Sequence, residues 1–517
     1  MDFPILSAIF LLPLMAAFIM CLLPSEAHDS VRRVAAAATG LALALTVYCY
    51  FNYDITAGGI QFVERIPWIT DLGVAYVVGV DGISLPMLLL TEAIALSAVC
   101  NSWHIEKRTK EFYILLMLFI AGLTGTFLAC DLFIFLLCYE VVVIPVYIMI
   151  LIWGSTRRIT KEYGAMKLTI FLLMGSGLML VGVVALYLTA YPAGMRSFDF
   201  GALMLASQMG HFSEGFQIFA FFLLLVSFGS LLTLFPLHNW SPDGHASAPT
   251  AVSMLHAGVL KKLGGYGLIR IGLLILPLGA RFWAPLIAGL AALTVLYAGY
   301  IALAQKDLKY IIGYSSVSHL GYVALGFAAL NVVSISGAIA NMVAHGIMAA
   351  LFFAQIGYIY EKTHLRSIPE LAGLAHYMPH LTFGFMLAGL ASVGLPGLSE
   401  FVPEVTIFIG TMKVYPVFAV LAISGIIITA LYILRMLAKV LFGPEAPRFK
   451  DVPDEHGIDL VPLIVLGILI IGFGIFPDLL MGVIRSGVMP MEEMLNELNG
   501  APTILDGFTF AMGGGLR

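Results

Sequence analysis

Five ionisable residues stand inside long apolar runs of this 517-residue chain. Glu140 lies in LFIFLLCYEVVVIPVYIMI, Lys261 and Lys262 in LHAGVLKKLGGYGLIR, and Glu400 and Glu404 in GLPGLSEFVPEVTIF. A charge at the centre of a bilayer costs at least about 2.5–3.5 kcal/mol on the most lenient scale, so it must face the bundle interior, pair, or touch water. Each of the five is therefore a candidate for carrying protons or ions. Adjacent helical residues point about 100° apart, so Lys261 and Lys262 are expected to face different surroundings. Glu400 and Glu404 are four apart and share a face if their helix is continuous. Two carboxylates that close do not both ionise easily, which suits proton handling. His238, His245, His256, His319 and His345 fall in neighbouring apolar segments, and several imidazoles in one bundle suit a proton path. The bland readings are a static ion pair at Glu140, one structural lysine of the two, Glu400 in a loop, and hydrogen-bonded core histidines. Glu92 and Lys167 read as structural pairs first.

The elements that must hold these groups are membrane spans. The chain is 60% hydrophobic and 11% charged, with a mean hydropathy of +0.99, whereas a soluble domain carries roughly 25% charged residues. A span needs about 20 apolar residues. Fourteen such runs are predicted, at 3–23, 32–53, 84–102, 112–130, 132–153, 166–190, 215–237, 249–276, 282–304, 308–330, 333–360, 378–411, 414–442 and 459–483. The first has no basic leader or small-residue cleavage site and is expected to be a retained helix. Residues 54–82, with Gly58-Gly59 and Pro67, predict a hairpin or amphipathic segment outside the bilayer.

Basic residues concentrate on alternate loops, the even-numbered ones carrying few, such as Arg65, Arg196 and Arg281. Arg32/Arg33, Lys107/Arg108/Lys110, Arg157/Arg158/Lys161, Lys306/Lys309, Lys362/Arg366 and Arg448/Lys450 all lie on the odd-numbered ones. The positive-inside rule makes those loops cytoplasmic and puts both termini on the other side, in a membrane read as the bacterial inner (plasma) membrane. Two spans are predicted to be broken. The seventh meets Pro236, Pro242, Asp243-Gly244 and Pro249, and the twelfth meets Gly394, Pro396, Gly397 and Pro403. Proline removes a backbone donor, and unwound backbone survives in a membrane only where protein or water surrounds it. Breaks five spans apart fit an internal repeat of five helices. The expected organisation is residues 1–110 (spans one to three), 111–276 (first repeat), 277–442 (second repeat) and 443–517 (last span and tail).

Other chemistry finds no support. Cys21, Cys49, Cys100, Cys130 and Cys138 form no CxxC pair, so neither zinc nor iron–sulfur binding is expected from them. HExxH is absent, as are the glycine-rich nucleotide loops. With a net charge of −5, no basic stripe for nucleic acid is present.

Longer strings are familiar. HNWSPDGHASAPTAVSMLHAGVLKKLGGYGLIR (238–270), LAQKDLKYIIGYSSVSHLGYVALG (303–326), NMVAHGIMAALFFAQIGYIYEKTHLRSI (341–368) and LIWG (151–154) resemble the antiporter-like subunits of respiratory complex I, closely the chain M (mitochondrial chain 4) family. The resemblance covers about residues 80–480. It implies an all-α integral membrane protein of about fourteen transmembrane helices, with two inverted five-helix repeats and two broken helices. It implies a proton-translocating subunit of an NADH–quinone oxidoreductase, with other membrane-arm subunits and the bilayer as partners. The FMN, iron–sulfur clusters and quinone would sit on partner subunits, none on this chain. By motif, Glu140 matches the glutamate of the fifth helix, Lys262 the central lysine of the eighth and Glu404 the glutamate of the twelfth.

Departures from the family pattern are specific. The lysine expected nine residues before Trp240 is Leu231, and no Lys or Arg occurs between Ser197 and Leu260. WLPDAH reads WSPDGH, and SGFVGE reads SEFVPE, which adds Glu400 and Pro403. His256 resembles the chain L family and sodium–proton antiporters, and Lys261 is extra. Either the missing charge has migrated, with Lys261 or His256 acting on Glu140, or the conduit is altered. The rival readings are a subunit of a multi-subunit sodium–proton antiporter, a subunit of a hydrogenase or ferredoxin-driven relative, and an inactive scaffold.

Overall fold

The computed structural model describes residues 3–192 and 194–500. Two long helices open it, α1 (Ile5–Leu22) and α2 (His28–Asn52). The 54–82 segment is an antiparallel hairpin of β1 (Gln61–Ile69) and β2 (Val74–Val80), turning at Gly73 with φ +66. Then come α3 (Ser84–Asn101), α4 (Thr109–Leu128), α5 (Leu132–Trp153), α6 (Lys161–Ala190), a short α7 (Phe200–Gln208) that hydropathy does not reveal, and α8 (Glu214–Leu231). After a break, α9 (Trp240–Ser247) leads to one composite helix. It runs from α10 (Thr250–Leu255) through a π-helical turn (His256–Leu260) into α11 (Lys262–Gly267) and a second π-helical segment (Leu268–Leu273). The second half contains α12 (Pro277–Ala304), α13 (Leu308–Ala328), α14 (Val332–Thr363), α15 (Pro379–Ser392), α16 (Phe401–Met412), α17 (Pro416–Val440) and α18 (Leu460–Ile475). Two further helices, α19 (Asp478–Val488) and α20 (Glu492–Gly500), close the described chain.

Helix starts follow from local chemistry. Asp131, Thr160, Asp199, Ser213, Asp307 and Asn331 each accept a hydrogen bond from a first-turn backbone N–H of α5, α6, α7, α8, α13 and α14, filling an orphan donor. Pro277, Pro379 and Pro416 sit in the first turns of α12, α15 and α17, where their missing N–H is not needed. Among the described residues, twelve helices are each long and apolar enough to cross a membrane. The composite helix 250–273 and the α15–α16 pair bring the count into line with fourteen spans. At the centre lies α14, almost wholly buried among α3, α10, α13 and α16.

Three predicted spans are corrected. The seventh stops at Leu231 rather than 237, because residues 232–239 unwind with Thr233 at φ +58; Pro242 then falls in the first turn of α9 instead of breaking it. The twelfth is two helices separated by 393–400, with Gly394 and Gly397 at φ +75 and +91, a conformation that glycine adopts without strain. Pro403 is tolerated inside α16 because it lies in the first turn. The last span ends at Ile475, since Pro477 starts a separate helix.

Two short bridges tie loops to helix starts. On one face Asp131 pairs with Asp199, with Leu132 N donating to Phe198 O at 2.8 Å and Phe200 N to Cys130 O at 3.0 Å. On the opposite face Asp307 pairs with Ser367, with Leu308 N donating to Arg366 O at 2.9 Å and Ile368 N to Lys306 O at 2.8 Å. The second face carries the basic loops, which lie against one another: Trp153 Nε1 donates to Lys107 O, and Arg158 to Gln305.

Candidate functional site

A line of buried ionisable groups crosses the middle of the bundle. Lys262, fully buried on α11, donates from Nζ to Ala257 O in the π-helical turn and lies 2.8 Å from His345 Nδ1 on α14. The π turn widens the helix here, and such turns recur at functional positions. The His345 ring is 5.4 Å from that of His319 on α13. His319 Nδ1 in turn lies 3.2 Å from Glu400 Oε2 and 3.3 Å from Glu404 Oε1, at the start of α16. Its other nitrogen, Nε2, meets Ser392 Oγ at 3.2 Å, at the end of α15. Five of the predicted residues thus form one continuous series, Lys262–His345–His319–Glu400/Glu404, across α11, α14, α13 and the break before α16. Glu400 is fully buried at the helix start and Glu404 follows one turn on, its N–H donating to Glu400 O at 3.1 Å. Their spacing of four and the common histidine put both carboxylates on one face.

The other predicted residues sit apart from this line. Lys261 turns away from Lys262, with Nζ 2.6 Å from Ser316 Oγ and 3.3 Å from Ser241 Oγ. His256 and His245 are fully buried and stacked 4.1 Å apart, with Trp240 against His256 and Phe353 against His245. None of their four ring nitrogens has a hydrogen-bond partner among the described residues. His238 packs between Phe235 and Tyr297. Toward the basic face, Lys167 pairs with Asp243 at 2.7 Å, and Tyr310 donates to the same carboxylate at 3.0 Å. Glu92 accepts from Thr124 Oγ1 at 2.6 Å. Lys167 is thus in an ion pair, whereas Glu92 has one hydrogen-bonded oxygen and one without a partner among the described residues.

Glu140 departs from the expectation of an interior charge. Its side chain is only partly buried, at the edge of the outward face formed by Leu137, Val141 and Ile144, and among the described residues no hydrogen bond or ion pair to it is found. Apolar neighbours in sequence do not distinguish a face toward lipid or another subunit from one toward the core. Lys261 is not its substitute partner, since Nζ is held by two serines on α9 and α13. Leu231 is buried at the end of α8 and packs against Gly264. A Cβ on Gly264 would come within 2.5 Å of Phe228 O and 2.6 Å of Leu232 N, so only glycine allows α8 to approach α11 this closely.

Sequence reasoning missed several groups. Arg270, two turns beyond Lys262, forms a buried ion pair with Asp81 at 2.6 Å. A cavity of about 600 Å³ opens beside that pair on the face opposite the basic loops, with Glu493 and Glu497 at its wall. Ser392 and Ser316 carry no local signal, whereas Asp243 lay within the WSPDGH string and could have been singled out there.

The family model described as NADH:quinone oxidoreductase/Mrp antiporter, TM, matches residues 129–429. The NAD(P)H-quinone oxidoreductase chain 4 2 of Microcystis aeruginosa is 37% identical over 455 residues, covering 86% of this chain and 80% of that protein. A chain in the structure of respiratory complex I from Thermus thermophilus with bound NADH superimposes with a TM-score of 0.85 at 28% identity, covering 96% of this chain and all of that one. A chain of the Mrp complex from Dietzia sp. DQ12-45-1b gives 0.80 at 20% identity, covering 96% and 99%, which shows the fold alone.

Proposed function

Since the chain belongs to the NADH:quinone oxidoreductase/Mrp antiporter transmembrane family, we propose that it is a proton-translocating, antiporter-like subunit in the membrane arm of a complex I-type quinone oxidoreductase. The observation that carries this reading is the buried series from Lys262 through His345 and His319 to Glu400 and Glu404. A scaffold has no use for such a series, because burying charge costs energy that aliphatic packing does not. Electrons run on partner subunits that carry the flavin, the iron–sulfur clusters and the quinone. This chain contributes the proton path.

The path works by exchange between neighbours. Lys262 is the central store, held within hydrogen-bond reach of an imidazole that can accept or return its proton. His345 and His319 are separated by one ring-to-ring step that a small rotation or a water molecule closes. His319 delivers to the two carboxylates where the unwound segment 393–400 meets the first turn of α16. Protons enter from the basic face, taken as cytoplasmic, by way of Asp243 and the His245–His256 stack. The paired bridges at Asp131 and Asp307 support inverted repeats over 111–276 and 277–442, with the bridge and the helix break of each repeat in equivalent places. Glu140 points outward, so in the assembled arm a neighbouring subunit covers it and supplies its cation.

The test is proton uptake coupled to quinone reduction in membrane vesicles carrying Lys262→Ala. Loss of most of the coupled uptake, with the complex still assembled, is expected. Uptake at the wild-type ratio would remove Lys262 as the central store. Sodium-dependent, redox-independent proton exchange would move the chain to the sodium–proton antiporter reading, toward which His256 leans.

A further inference from the structure

His319, Glu400 and Glu404 have a second property that proton transfer does not require. One ligand atom from each lies within 4.8 Å of the others, and all three side chains are buried. Were this only a protonated imidazole between two carboxylates, Nδ1 would donate along its ring plane to one of them. It does not: among the described residues His319 Nδ1 has no hydrogen-bond partner of acceptable direction, and neither carboxylate oxygen of Glu400 has one. Neither carboxylate lies along the line of the N–H, although both are close. The nitrogen and the oxygens converge on a shared space instead of on one another.

The spacing of that space fits a particular class of ion. Tetrahedral zinc, with bonds of about 2.0–2.2 Å to nitrogen and oxygen, holds its ligand atoms about 3.3–3.5 Å apart. Here Nδ1 lies 3.2 Å from Glu400 Oε2 and 3.3 Å from Glu404 Oε1. An imidazole among the ligands disfavours calcium and magnesium, which take oxygen, and favours a borderline first-row ion. A metal-bound histidine is ordinarily fixed through its other nitrogen, and Ser392 Oγ, 3.2 Å from Nε2, holds that place. Access also exists. The unwound segment passes beside the site with Leu395, Pro396 and Gly397 exposed, and a Cβ on Gly394 would come 3.0 Å from Glu404 Oε2, so bare backbone lines one side of the carboxylate. Sequence spacing could not reveal the set, because His319 stands 81 residues before Glu400.

We propose that His319, Glu400 and Glu404 form a binding site for one zinc-like divalent cation beside the break between α15 and α16, and that its occupation arrests the relay at this end. Binding stands on the geometry alone. The arrest rests on the proton-path reading, because the metal takes the Nδ1 position that would otherwise carry the proton.

The experiment uses the intact complex that contains this chain, stripped with chelator and then given Zn²⁺ alone. Anomalous diffraction from the zinc-loaded complex is expected to show a peak bounded by the three side chains, and no peak at saturating zinc would overturn the site without recourse to a variant. Glu400→Gln is expected to remove one zinc per complex and to raise the zinc concentration for half-inhibition of coupled proton uptake by at least about tenfold. An unchanged zinc count would also overturn the site, and full occupancy that leaves uptake unaffected would overturn the arrest. The zinc-free complex reports on the proton-path reading separately: lack of coupled uptake there sinks that reading and leaves the metal measurement standing.

Discussion

Asp131 and Asp307 occupy equivalent places at the starts of α5 and α13, yet they should respond to the same substitution in opposite ways. Asp131 caps α5, accepting from Phe133 N at 2.8 Å and Ile134 N at 3.3 Å, and is fully buried with no cation beside it among the described residues. Burial raises its carboxyl from 3.8 to about 6, against the pull of the backbone N–H groups, and nearby Asp199 adds to the rise. A carboxyl whose folded pKa is raised contributes stability that is complete below the unfolded value and is lost as pH rises through the folded one. With 1.36 kcal/mol per unit, the loss grows from under about 1 kcal/mol at pH 4 to about 3 kcal/mol at pH 7. Asparagine keeps the cap and cannot ionise, so Asp131→Asn should stabilise the protein by that growing amount. Asp307 instead pairs with the buried Arg366 at 2.6 Å, and Asp307→Asn leaves that guanidinium with only Ala246 O and Ser155 Oγ. Removing one partner of a buried pair costs about 3–5 kcal/mol, and the partial exposure of Asp307 places this case near the lower figure. Thermal unfolding of the detergent-solubilised protein at pH 4 and pH 7 reads both effects. A stabilisation by Asp131→Asn that is the same at both pH values, or a shared sign for the two variants, would refute the reasoning.

Other outcomes follow from the same geometry. Gly264→Ala presses a methyl into the backbone of α8 and should cost about 1–3 kcal/mol while lowering coupled proton uptake, because Lys262 lies two residues away; wild-type uptake at wild-type melting temperature would contradict this. Glu455, buried in the loop before α18 with Asp454 and Asp459 nearby, is pushed up from 4.5 to about 8. Its raised value makes wild-type stability fall by about 1.4 kcal/mol per pH unit between those two values, and Glu455→Gln should flatten that slope in a pH series of unfolding curves. Lys261→Ala should weaken uptake less than Lys262→Ala, since its partners are two serines off the main line. Equal losses in vesicle assays would place Lys261 on the path.

Much of this was readable from sequence where the signal is local. Apolar run length gave the spans to within a few residues for α1 and α5, and proline with glycine marked the two breaks because those residues act on their own backbone. The hairpin at 61–80 followed from Gly58-Gly59 and Pro67 for the same reason. What stayed hidden depends on rotation about a helix axis. A membrane helix is apolar all round, so LLCYEVVV says that Glu140 lies inside a span but not which way it faces. The meeting of His319 with Glu400 and of Lys262 with His345 depends on how α11, α13, α14 and α16 cross, which no spacing along one strand of sequence encodes. The π-helical turn at 256–260 was equally invisible, since it alters hydrogen bonding without a dedicated residue type.

The two bridges at Asp131–Asp199 and Asp307–Ser367 close the same loop-to-helix junction at opposite ends of the helix bundle. A backbone that presents the same joint to both compartments has no preferred direction of its own. Direction must then be written in side chains: the buried Arg366 on Asp307 behind one joint, the exposed Arg65 on Asp199 behind the other, acidic Glu493 and Glu497 on one rim and the basic loops on the other. Vectorial transport in such a protein is a property of a few charges laid over a nearly reversible frame, and exchanging those charges between the two joints is where its polarity would first be lost.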